Sequence, residues 1–196
     1  MAFDFNQNII LENERVLLQP LKESDSQNLL PVATADVELV RYSNYSIHTP
    51  EHLTRFILDS IKERDAEQRY PFSIFDKKEA IYAGSSSIAA VSNKDGRLEI
   101  GWTWIGKKFQ QTGLNRNCKF LLLHYAFETL NFERVELKTD ERNMQSRKAM
   151  EKMGAVYEGC LRSHTVMPDG FRRNTVYYSI LKNEWQVLKK DFLMKK

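Results

Sequence analysis

EIGWTWIGKKFQQTGLNRNCKF, residues Glu99 to Phe120, joins an alternating strand to an amphipathic helix through a short polar turn holding Gly113. Simple alternation puts Leu98, Ile100, Trp102 and Trp104 on one face of the strand and Glu99, Gly101 and Thr103 on the other. The small, polar face is the one expected to border a cleft. In the turn, Gln110-Gln111-Thr112-Gly113-Leu114-Asn115 runs into a helix start. First-turn amides are unpaired and sit at the positive end of the helix dipole, so the position favours an anion. Gly113 lets the backbone approach a bulky phosphate or adopt a conformation closed to other residues. The spacing is neither a Walker loop nor G-x-G-x-x-G, so nucleotide sites of those kinds are not expected. Taken alone, the pattern is that of an ordinary crossover loop.

Beyond the turn, Leu114, Cys118, Leu121, Leu122 and Tyr125 line one helical face, with Arg116 and Lys119 standing off it. Val135, Leu137 and Thr139 alternate with Glu136, Lys138 and Asp140. This strand-helix-strand order, over roughly 30 residues, favours a parallel pair joined by a crossover. Asn143 can cap the next helix, whose stripe is Ala149, Met150 and Met153 and which Gly154 stops. Two long strands meeting at Asp169-Gly170 then complete the sheet, the second over residues 175–181. Upstream, residues 16–21 read as a strand, and Ser24-Asp25 caps a short helix. Residues 33–48 are irregular. Thr49-Pro50 starts a helix with Leu53, Phe56, Ile57 and Ile61 on one face. Strands over residues 72–75 and 83–91 and a hairpin turn at Asn93-Lys94-Asp95-Gly96 lead into the quoted stretch. The Lys-rich tail reads as a solvated helix end. No repeat, linker or second domain is evident, so the expectation is one mixed α/β domain over 1–196 with its core at about 15–185.

A 196-residue chain that is 42% hydrophobic and 28% charged has the composition of a globular protein with a sizeable core. Its net charge of +3 is too small and too dispersed to argue for nucleic acid. No stretch approaches the roughly 18–20 apolar residues of a membrane helix, and the start lacks the regions of a signal peptide. Cys118 and Cys160 both lie in apolar patterns and read as reduced thiols. A cytoplasmic protein is the expectation. His48 and His52 have the i, i+4 spacing of a metal pair, yet His48 precedes the Thr49 cap and no third ligand stands out. No metal is expected.

The Q-x-x-G-x-N turn after EIGWTWIG resembles the acyl-CoA pyrophosphate loop of the GNAT acyltransferases, Q/R-x-x-G-x-G/A. The block from Asn143 to Gly154, the following Tyr157-Glu158-Gly159 and the Pro168-Asp169-Gly170 hairpin are similar to one branch of that family, the ribosomal-protein N-terminal acetyltransferases and their relatives. The likeness runs from about Arg15 to Trp185. It implies a mostly antiparallel mixed sheet, flanked by helices, in which strand 135–140 splays away from the quoted strand. It implies acetyl-CoA as acyl donor and a primary amine as acceptor. The pantetheine arm would pair with the edge at Thr103, Trp104 and Ile105, and the diphosphate would meet Gln111, Thr112, Gly113, Leu114 and Asn115. Lys107, Lys108, Arg116 and Lys119 are further candidates for phosphate contacts. Asn115 stands where the family usually has Gly or Ala, so its side chain could crowd the diphosphate or bond to it.

Asn143 and Ser146, at i and i+3, share one edge of a helix start; read alone, they are a cap and a first-turn polar residue. The resemblance implies that Asn143 contacts the pantetheine arm and that Ser146 protonates the departing thiolate, because Met150 occupies the position of the usual Tyr acid. A thiol with a pKa of about 8.5 needs little help in leaving, so Ser146 is expected to matter moderately. For the base, the family's Glu matches Thr165 here, leaving Glu99 first and His164 second, either acting through water. Tyr42, Tyr45 and His48 fall in the acceptor-side loop. The expected reaction is direct attack of the amine on the thioester, the oxyanion meeting a backbone N–H near Ile105. A protein N-terminus or a small amine (polyamine, antibiotic or amino-sugar) remains open as acceptor, as do a homodimer and a non-catalytic acyl-CoA-binding module.

Overall fold

The computed structural model describes residues 1–194. Eight strands form one sheet: β1 (Leu11–Glu12), β2 (Val16–Pro20), β3 (Arg69–Asp76), β4 (Ile81–Ser92), β5 (Arg97–Ile105), β6 (Arg134–Asp140), β7 (Val156–Val166) and β8 (Arg172–Leu181). Their spatial order is β1-β2-β3-β4-β5-β6-β8-β7, and every neighbouring pair is antiparallel except β5 and β6. That parallel pairing covers Arg97–Arg134, Leu98–Val135 and Glu99–Glu136 only. β6 then runs on beside β8 while Ile100–Ile105 continue beside β4, so the strands part in a V.

Helices α1 (Asp25–Ala33) and α2 (Pro50–Asp65) cover one face, burying Leu29, Leu53, Phe56 and Ile57 with Trp104. The Thr49 hydroxyl accepts from the His52 N–H at 3.2 Å and Pro50 begins α2, as the sequence predicts. On the other face lie α3 (Leu114–His124, continuing through a π-helical turn at Tyr125–Thr129), α4 (Met144–Lys152) and α5 (Lys182–Met194). Leu114, Cys118, Leu122, Met150 and Trp185 join Leu98, Ile100 and Ile180 in that core. The tail is more than a solvated end: Leu188 and Phe192 pack on the core, Phe192 at 5.9 Å from the wholly buried Trp185, which stacks on Phe127 at 5.7 Å.

The alternation expected along β5 fails at one point. Ser87 pairs with Gly101 and Ser85 with Trp104, so Ser86 alone faces both Trp102 and Thr103. This is a β-bulge, with Trp102 at φ +49°. It reverses the strand's faces. Leu98 and Ile100 point towards α3, but Trp104 packs with α1 and α2. Thr103 turns towards α3, where Lys119 Nζ donates to its hydroxyl at 2.7 Å and Ser86 Oγ lies 2.7 Å away. Lys119, a candidate for phosphate contact that stands off the apolar stripe of α3, is thus interior and only 6% exposed.

A second constraint holds the same region: a Cβ on Gly84 would sit 2.0 Å from the Trp104 carbonyl oxygen. Gly84→Ala is expected to cost at least about 2 kcal/mol, read as a lower urea midpoint at unchanged slope. Burial pushes Lys119 down to about 8 from its ordinary 10.5. The unfolded chain holds that proton up to about 10.5, so the penalty is complete below about pH 8 and fades as pH rises through the window. Lys119→Met should therefore gain on the wild type most at pH 7, the gap shifting by up to about 3 kcal/mol by pH 10. An equal difference at both pH values in chemical denaturation would mean that Lys119 titrates normally.

Candidate active site

The V between β5 and β6 leaves one edge of β5 without a strand. Gly106 N–H donates to the Ala83 carbonyl at 2.9 Å, and Ile105 stands opposite Gly84. Antiparallel ladders alternate, so the N–H and C=O of Ile105 point away from β4 into the V. The carbonyl accepts from Gln110 Nε2 at 3.2 Å, and Gln110 Oε1 accepts from Gln145 Nε2 at 3.0 Å. These two glutamines link the end of β5 to the first turn of α4 and bring the starts of α3 and α4 together.

Gly113 is the N-cap of α3, at φ +86°. Nothing lies within 4 Å of the point a Cβ would occupy, so the turn is open on that side. Gln111 and Thr112 are exposed beside it, Gln111 also at positive φ and the Thr112 hydroxyl donating to the Phe109 carbonyl at 2.7 Å. Leu114 is buried. Asn115 Oδ1 is buried without a partner; turning the amide by half a revolution puts two N–H donors there, the polarity an anion calls for.

The four basic candidates fare differently. Lys119 belongs to the interior network described above. Arg116 donates to the Asp191 carbonyl and lies over the Phe192 ring at 4.9 Å, committed to α5. Lys107 pairs with Asp36 at 3.5 Å but stays largely exposed, and Lys108 lies over the Phe109 ring at 4.8 Å.

At the start of α4, Asn143 Oδ1 accepts from the Ser146 N–H at 3.0 Å, so Asn143 is an N-cap. Ser146 is half-buried, and its hydroxyl has no hydrogen bond among the described residues. Across the sheet, on the α2 side, Glu99 is buried and accepts from Lys138 Nζ at 2.8 Å. Burial pushes its carboxyl above the ordinary range, with Lys138 pulling the other way. Register sets Arg69, Ala89 and Glu99 in one row across β3, β4 and β5, and Lys138 opposite Tyr177. The bulge lays the Trp102 indole over this row, 5.1 Å from the Arg69 guanidinium and 5.6 Å from Lys138 Nζ.

His164 is exposed on β7, sharing Nδ1 with the Thr175 hydroxyl at 3.1 Å, while Thr165 is half-buried. In the loop before α2, Tyr45 packs on Phe56 at 4.8 Å and burial pushes its hydroxyl up to about 12. The Tyr42 carbonyl accepts from Arg173 at 2.7 Å, docking the loop on β8. His48 and His52 stack edge to face, and the Ser46 hydroxyl sits 2.6 Å from His48 Nδ1. Sequence reasoning missed Arg69, Lys138 and Arg173. Lys138 was legible only as an alternating strand residue, and the other two needed the sheet order.

A family model described as an acetyltransferase (GNAT) domain matches residues 15–156. An uncharacterized N-acetyltransferase of Bacillus licheniformis is 27% identical over 176 residues, 89% of this chain and 97% of that protein. A candidate ribosomal N-acetyltransferase of Bacillus subtilis is 34% identical over 103 residues, 53% of this chain and 55% of its own length. Among solved structures, a candidate acetyltransferase from T. thermophilus superposes with a TM-score of 0.86 at 34% identity, covering 98% of this chain and 97% of that one. A GCN5-related N-acetyltransferase from Brucella melitensis gives 0.90 at 23% identity, over 98% and 87%, which speaks for the fold alone.

Proposed function

The chain belongs to the GNAT acetyltransferase family, and from that premise we propose that it moves the acetyl group of acetyl-CoA directly onto a primary amine. One observation carries the reading: β5 beyond Glu99 has an unpaired edge facing a V whose mouth is the start of α3. A pantetheine arm has amides that can pair with such an edge as a strand would. The stretch from Thr103 to Ile105 supplies it, with Ile105 offering its N–H and C=O and Trp104 turned back to β4, and the amides around Gln111, Thr112, Gly113, Leu114 and Asn115 receive the diphosphate. The Ile105 N–H, aimed into the V, is the donor for the oxyanion that forms as the amine attacks.

Glu99 receives the amine's proton. Its burial raises its affinity for a proton, and Lys138 already displays an ammonium held against it at 2.8 Å. A carboxylate base suits an α-amine, with a pKa near 8, better than a lysine near 10.4, which favours a protein N-terminus or another amine of low pKa. The candidate ribosomal acetyltransferase among the relatives points the same way. Asn143 holds the start of α4 and contacts the arm, and the Ser146 hydroxyl gives its proton to the leaving thiolate. With no helix among the described residues long and apolar enough to cross a membrane, a cytoplasmic setting suits the donor.

Free-thiol release across a panel of amines and peptides tests this. Glu99→Gln is expected to lower kcat/KM about 100-fold or more at pH 7 and to abolish its acid limb, and Ser146→Ala about 3- to 10-fold. Gly113→Asp should weaken acetyl-CoA binding at least about tenfold by titration calorimetry, because a carboxylate would point where the diphosphate lies. Its melting temperature should fall by only a few degrees with the fold kept, because φ +86° strains a side chain there while the space for one is open. Binding of acetyl-CoA without thiol release from any amine would leave a binding module in place of an enzyme.

A further inference from the structure

Around Glu99, the charges on the α2 side come in pairs. Glu99 is paired with Lys138 at 2.8 Å, Asp140 with Arg142 at 2.7 Å, and Arg69 with Glu63. Arg173 is the odd one. Among the described residues no carboxylate oxygen lies within the 4.0 Å of an ion pair. Its guanidinium donates from Nη1 to the Tyr42 carbonyl at 2.7 Å and from Nε to the Thr175 hydroxyl at 3.3 Å, leaving Nη2 without a partner there. Arg173 is half-buried, and a partly desolvated guanidinium lacking an anion is a costly arrangement. Burial accordingly pulls its pKa below the ordinary arginine range, against Asp140, Tyr177 and Glu99, with Arg142 adding to the fall.

Its position matters as much as its charge. Arg173, Thr175 and Tyr177 alternate along one face of β8, opposite Asp140 (Thr175) and Lys138 (Tyr177) on β6. The line from the partner of Glu99 to the Arg173 guanidinium therefore runs along one wall of the site, under the loop that carries Tyr42 and Tyr45. Two further N–H donors on this side, Arg69 Nη1 and Trp104 Nε1, are buried without partners. The site is short of hydrogen-bond acceptors, not donors.

We propose that the acceptor amine carries a carboxylate and that Arg173 receives it, setting the amine against Glu99. This rests on the reading of Glu99 as the amine's end of the site. A guanidinium presents a planar fork of donors matched to a carboxylate, and the pairing would supply the charge this wall lacks. A polyamine, which brings only more cations, is disfavoured by the same wall. The carboxylate can belong to a free amino acid or to an acidic first residue of a peptide.

Matched acceptors decide between these: an amino acid against its amide, and an Asp-first against an Asn-first peptide amide, each followed by thiol release and rated per unprotonated amine, since a free carboxylate raises the pKa of the amine beside it. The carboxylate member of one pair should be favoured at least about tenfold in kcat/KM, and that pair identifies the source. In Arg173→Gln the preference should fall to about threefold or less through KM, with the neutral partner's rate and acetyl-CoA affinity kept; Arg173→Lys should restore part of it. No preference in the wild type, or one that survives in a folded Arg173→Gln, overturns the proposal while transfer itself stands. Absence of turnover with every amine, acetyl-CoA binding intact, overturns transfer and this proposal together.

Discussion

One irregularity in β5 determines how the rest of the site is laid out. Two residues, Trp102 and Thr103, oppose the single Ser86, and the strand's faces exchange there. Holding Trp102 at φ +49° costs on the order of 1–2 kcal/mol, which the surroundings must supply. They do so from three elements: Ser86 on β4, the Thr103 hydroxyl on β5 and Lys119 on α3 meet at 2.7 Å contacts. The bulge sends Trp102 over the charged row at Glu99 and Trp104 into the core under α2. Without it, Trp104 would stand on the α3 face and Thr103 beside Glu99.

Glu99 shows how burial and pairing are set against each other. A buried carboxylate alone would hold its proton, and one beside an exposed ammonium would give it up readily. Glu99 has both neighbours, and burial is the stronger. The group is thereby a better proton acceptor than a surface glutamate. A neighbouring lysine is thus compatible with a basic role, because it offsets the desolvation that would otherwise keep the carboxyl neutral.

Periodicity made the fold legible where each element obeys its local rule. The Thr49-Pro50 helix start, the stripe of α3, the parallel crossover to β6 and the strands around Asp169-Gly170 all follow from spacing and turn chemistry. Gly113 was legible because only a glycine sits easily at φ +86°. Alternation failed at Trp102 since no proline, glycine or turn residue marks the bulge, and a non-glycine at positive φ leaves no trace in the pattern. Lys119 was misread for a related reason: a lysine off the apolar stripe is ordinarily solvated, and only the displaced Thr103 gives it an interior partner. Arg69 on β3 and Arg173 on β8 flank β5 from opposite sides in the sheet's order, so no short window of sequence could bring them to Glu99.

The brevity of the contact between β5 and β6 has a mechanical side. Three rungs tie the half-sheet β1–β5 to the half-sheet β6–β8, and beyond them the two plates are held apart by helices packed below. Each plate is stiffened by its own long antiparallel ladders. Away from that short axis near Glu99, side chains take over the joining, Gln145 with Gln110 on one face and Arg173 with the Tyr42 carbonyl on the other. A rotation of a degree or two about that axis would displace the far rims much more than the axis, so the groups on the axis would keep their spacing.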